Sequence, residues 1–123
     1  MNILITTARI LLGLLFVTAG VLAFVFTKPV AMPGLPGEFE AAFVGSHWSM
    51  FVGAAQCALG ILLLINRFVP VALIMLAAFL YNSLAFHITL LPGGLPIVGV
   101  VIVLWFLVSW KYRQAFVALF TAR

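Results

Sequence analysis

Few side chains in this sequence can do chemistry, and most of them crowd toward the ends of apolar runs. There are two histidines, His47 and His87, two acids, Glu38 and Glu40, one cysteine, Cys57, and no aspartate. Histidine and carboxylate together suit zinc or iron. No tight spacing such as His-x-x-x-His supports a metal site, however, and none is expected. A second reading is a pocket for a quinone or small phenol, with a histidine on a ring oxygen and aromatic rings stacked beside it. A third is that histidines and acids near water are simply tolerated there. Ser83 lies four positions before His87 and shares its helical face. Asn82, Ser83 and Gln56 stand inside apolar runs, where each amide or hydroxyl must bond another helix, water or a ligand. Arg9 is open to two readings. Its stem can carry the guanidinium back to the membrane interface, or it can face the helix bundle and hold an anionic group. Cys57, alone in the chain, forms no intramolecular disulfide and reads as a small residue at a helix contact. There is no phosphate-binding glycine loop and no Cys-x-x-Cys. No glutamate lies mid-run, which disfavours a proton-coupled antiporter built on an intramembrane carboxylate. The chain is expected not to be an enzyme on its own.

The elements that must position these groups follow from composition. Apolar residues make up 67% of the chain and charged residues 7%, and the mean hydropathy is +1.37. A soluble fold of this size needs more polar surface. The formal charge of +4 does not indicate nucleic acid, because the basic residues form no stripe or patch. Runs of about 20 apolar residues are needed to cross a bilayer. They fall at about 3–26, 48–65, 70–91 and 95–110 of a single domain covering residues 1–123. The apolar runs are continuous rather than alternating, which excludes barrel strands. Pro70 and Pro96 suit the first turns of the third and fourth spans. The first run is read as an uncleaved span rather than a signal peptide, since its one charge, Arg9, lies late.

The expected fold is therefore an all-α, integral membrane four-helix bundle. Both termini are expected to be cytoplasmic, because Arg9, Arg67, Lys111, Arg113 and Arg123 fall on one side and only Lys28 on the other. That arrangement brings His47, His87, Glu38 and Glu40 to the outer side. The outer connection between helices 1 and 2 is longer than a bundle requires, and Phe39 and Phe43 are spaced for a short docked helix within it. Gly13, Gly20, Gly53, Cys57, Gly60, Gly99 and the pair Ala54 and Ala58 are expected at close helix contacts. Residues 114–120 are expected to lie along the inner surface as an interfacial tail.

Four stretches carry a family resemblance. Ala8–Gly20 (ARILLGLLFVTAG) resembles the first span of the DoxX-like family of small bacterial membrane proteins, and Phe51–Leu64 (FVGAAQCALGILLL) resembles the second. Phe86–Leu90 (FHITL) and Trp110–Arg113 (WKYR) are similar to the remainder. The resemblance implies a multi-pass protein of the bacterial inner membrane, linked to quinone-coupled redox systems or to catechol and quinone tolerance. It implies an accessory or anchoring subunit with a soluble or membrane redox partner, or a quinone or phenol binding or carrier protein, or a noncatalytic scaffold. A homo-oligomer is compatible with each. Arg9 and His87 match family positions. The chain departs where relatives often carry a lysine after the residue matching Gly20, here Val21-Leu22-Ala23, and where they often carry a glutamate, here Gln56. The candidate ligand-binding residues are thus His87, Ser83, Asn82, His47, Gln56 and Arg9, with a quinone as the candidate cofactor.

Overall fold

The computed structural model describes residues 3–121, which leaves Arg123 outside the described residues. Its regular elements are six α-helices and a single-turn 3-10 helix at Pro92–Gly94, with no strand among the described residues. The α-helices are α1 (Ile3–Val25), α2 (Gly34–Gly45), α3 (Trp48–Leu64), α4 (Val69–Thr89), α5 (Leu95–Lys111) and α6 (Arg113–Leu119). Pro70 and Pro96 both sit in the first turn of their helices, where a missing N–H leaves no hydrogen bond unmade.

Three segments are long and apolar enough to cross a membrane: α1, α4, and α5 together with the turn before it. This is the make-up of a membrane protein. The second expected span differs. α3 has only 17 residues, and it reaches membrane-spanning length only when joined to α2, from which it is bent by 77°. The connection expected as a long loop is thus mostly helix. The bend falls at Ser46-His47, where His47 takes a left-handed backbone with φ 67°. That conformation is uncommon for a residue with a Cβ.

Glycine sets the helix arrangement. α1 and α3 run antiparallel and almost touch along a line of four glycines, Gly13 opposite Gly60 and Gly20 opposite Gly53. Each pair is spaced seven residues along its helix, two turns, so all four face the same seam. A Cβ on Gly60 would sit 2.8 Å from the Gly13 carbonyl oxygen, and one on Gly53 would sit 2.9 Å from that of Gly20. Cys57 lies in the same seam, its thiol donating to the Val17 carbonyl at 3.7 Å. Gly99 is different: nothing lies within 4 Å of the position its Cβ would take. Ala54 and Ala58 are also exposed. The expected contacts at these three positions are therefore absent, because those residues point away from the neighbouring helices.

α5 packs on α1 and α4, and α4 packs on α3. The packing is uneven along the helices. At one end Leu12, Leu63, Leu73, Leu76 and Val108 are wholly enclosed, with Ala8, Leu59, Val69 and Ala72 around them. The Trp105 indole N–H donates to the Leu73 carbonyl at 2.8 Å and ties α5 to α4. Its ring lies parallel to Phe116, centroids 6.3 Å apart, so α6 folds back on the same end. The opposite end, under α2, is hollow.

Candidate binding cavity

Two adjoining cavities fill the hollow end, of about 290 and 840 Å³. The smaller lies among α1, α4 and α5, and the larger among α1, α3 and α4 with α2 across it. Ala19, Gln56, Phe79 and Ser83 line both. Pockets of this size and apolar character, with a few polar groups, are where small molecules bind.

Gln56 is half-buried at the middle of α3, and its amide has no hydrogen-bond partner among the described residues. Among the described residues the Ser83 hydroxyl likewise has no partner, whereas its backbone carbonyl does take a side-chain bond. That carbonyl accepts from His87 Nδ1 at 2.8 Å. A carbonyl cannot donate, so Nδ1 carries the proton and Nε2 is left as the ring's other polar atom. The imidazole lies close against Gly94, where any Cβ would overlap Cδ2 and Nε2. The Pro92-Gly93-Gly94 sequence reads only as a turn; that its last glycine makes room for a histidine depends on how α4 and α5 meet.

Asn82 lines the larger cavity with its amide nitrogen donating to the Ala78 carbonyl at 2.9 Å. Its acceptor oxygen has no partner among the described residues. Glu40 also lines the larger cavity, and its Oε2 accepts the Val30 N–H at 3.2 Å, which pins the segment before α2. Four aromatic rings form a continuous wall beside it. Phe86 meets Phe39 at 5.1 Å, Phe39 stacks on Phe43 at 5.3 Å, and Phe43 meets Trp48 edge-on at 5.1 Å.

The structure therefore brings Gln56 and Ser83 together in the lining common to both cavities, with His87 on the smaller and Asn82 on the larger. It does not bring in His47, which is exposed at the bend, or Glu38, which is exposed on α2. Arg9 lies at the packed end. Its guanidinium Nη1 donates to the Leu63 carbonyl and, at 3.4 Å, to that of Leu64. These are acceptors of the last turn of α3, at the negative end of its dipole; the Leu63 carbonyl also accepts the Asn66 N–H at 3.3 Å. Arg9 is thus engaged at the end of α3 and lies outside both cavities. Among the described residues no group of three or more His, Cys, Asp or Glu could hold a metal ion. The sequence reading missed the aromatic lining contributed by Phe26, Phe79 and Phe86, because aromatic residues at helical spacing in a membrane chain look like ordinary lipid-facing or core residues.

Comparison of the chain with protein-family models, curated proteins and solved structures finds no match.

Proposed function

We propose that this is a four-helix membrane bundle of the DoxX-like kind, with both ends cytoplasmic in a bacterial inner membrane. Its hollow end takes up a small lipid-soluble ring compound bearing an oxygen, a quinone or a phenol. Its place is that of an accessory or anchoring subunit in a quinone-linked redox system. The observation that carries the reading is that Gln56 and Ser83 present an unpartnered amide and hydroxyl to the lining shared by two apolar cavities. A polar group that faces an apolar hollow in a membrane gains from any partner that enters it, and a ring oxygen supplies one. His87 beside Ser83 offers Nε2 as a further acceptor for a phenolic proton. The aromatic wall supplies the stacking surface. The sequence resemblance of Ala8–Gly20 and Phe51–Leu64 supports the redox setting.

The test is a binding titration of the full-length protein in lipid nanodiscs with a short-chain ubiquinone and with a naphthoquinone, read by calorimetry. Saturable binding to the native protein is expected, weakened roughly tenfold in Gln56→Leu and in Ser83→Ala, the loss of about one buried hydrogen bond. Both variants are expected to keep the native melting temperature or exceed it, since each removes an unpartnered polar group. Native affinity in both variants, or no saturable binding at all, would refute the proposal.

A further inference from the structure

The larger cavity carries a charge that the quinone reading leaves unused. Glu40 is its only acidic lining residue, and no Lys or Arg among the described residues lines it. No ion pair to Glu40 occurs among the described residues; its one bond is to the uncharged Val30 N–H. The cations of the packed end are already engaged: Arg67 over Phe68, Lys111 over Tyr112, Arg113 over Trp110, and Arg9 on the carbonyls that end α3. At the hollow end the fixed charges are Lys28 against Glu38 and Glu40, one positive and two negative, with His47 and His87 nearby. Beside Glu40 runs the wall formed by Phe86, Phe39, Phe43 and Trp48, with Phe26 also on the lining.

From this combination we infer that the outer part of the cavity is a site for a lipophilic organic monocation, an aryl ammonium or phosphonium. Aromatic faces attract a weakly hydrated cation through their quadrupole, and the attraction grows as water is excluded. A carboxylate without a cation of its own completes the complementarity. An inorganic cation gains little here, because it would give up its hydration shell for a single carboxylate. A volume of about 840 Å³ admits a drug-sized molecule. A neutral ring compound needs the Gln56 and Ser83 end and a ring to stack on, whereas a cation needs the Glu40 carboxylate beside the wall as well. The inference rests on the reading that this hollow is a ligand site, and extends it to a second chemical class.

The probe is tritiated tetraphenylphosphonium, bound to the full-length protein in phosphatidylcholine nanodiscs and read by scintillation proximity. Neutral triphenylphosphine oxide serves as the competitor of similar shape. Saturable binding is expected, with at least tenfold more of the neutral compound than of unlabelled tetraphenylphosphonium needed for displacement. Glu40→Gln, which keeps an acceptor for the Val30 N–H, is expected to weaken binding about tenfold, while Glu38→Gln leaves it unchanged. The inference is overturned if Glu40→Gln binds as the native protein does, if Glu38→Gln weakens binding equally, or if the neutral compound displaces as well as the cation. Absence of phosphonium binding overturns it too. If quinone binding then persists, only the cation site falls; if quinone binding is also absent, the whole cavity reading falls with it.

Discussion

Replacing any of the four seam glycines with alanine tests the claim that α1 and α3 are held by backbone contact. The expected costs can be ranked from geometry. At Gly20 a new Cβ meets the Gly53 carbonyl oxygen, the Cys57 Sγ and the Cys57 nitrogen, and two of these atoms are backbone and cannot swing away. At Gly60 it would lie 2.8 Å from the Gly13 oxygen and 2.9 Å from the Val17 nitrogen; at Gly53, 2.9 Å from the Gly20 oxygen. At Gly13 the closest atom is the Leu64 Cγ at 2.9 Å, the flexible end of a side chain, although the Gly60 oxygen follows at 3.0 Å. Ordinary contact begins near 3.4 Å, so the helices must part by roughly half an ångström at Gly13, Gly53 and Gly60 and by more at Gly20, a gap that forfeits a quarter or more of each contact's attraction. Overpacking of this kind costs about 1–3 kcal/mol, while alanine regains up to about 1 kcal/mol of helix propensity. A net loss of about 1–2 kcal/mol is expected at Gly20, Gly53 and Gly60, and less at Gly13. Gly99→Ala, with open space around it, is expected to be neutral or stabilising. Thermal or steric-trap unfolding in one detergent compares all five variants. If Gly20→Ala and Gly99→Ala prove equally stable, the seam does not hold the helices and the reasoning fails.

Trp105→Phe removes the indole bond to the Leu73 carbonyl but keeps the ring, so a loss of about 1 kcal/mol or less is expected in the same unfolding assay. Arg9→Met strips the guanidinium from the Leu63 and Leu64 carbonyls; a loss of about 1–2 kcal/mol is expected, with quinone titrations unchanged because Arg9 lies at the other end from the cavity. In a Cys57→Ala background, a cysteine placed at Glu40 is expected to react with an impermeant thiol reagent added outside cells, and one placed at Gln114 is not. The reverse labelling pattern would invert the proposed orientation.

The helical make-up of this chain was legible because continuous apolar runs punctuated by Pro, Gly and basic residues leave almost no other solution in lipid. Pro70 and Pro96 marked helix starts, and Phe39 and Phe43 marked the docked helix. The 77° break was not legible: Ser46-His47 is no stronger a helix breaker than many pairs, and nothing in its residue types announces the left-handed backbone at His47. Nor could composition separate Gly20 from Gly99, since both are glycines in apolar helices and only the neighbour's position tells them apart. At the site, Gln56, Asn82, Ser83 and His87 stood out because polar groups in hydrocarbon always need an account. The aromatic wall did not, since a phenylalanine facing a cavity and one facing lipid are the same letter.

The shortness of α3 has a consequence for the surrounding bilayer. At 1.5 Å per residue its 17 residues cover about 26 Å, whereas the 23 residues of α1 beside it cover about 35 Å. A hydrocarbon layer of about 30 Å thus overshoots one helix and falls short of its neighbour. Such mismatch is relieved by thinning the membrane locally or by tilting the longer helix. On the α3 flank the apolar length is made up by α2, which the 77° bend turns aside from the α3 axis, so that thinning of the bilayer falls on this side of the protein and tilt on the α1 side.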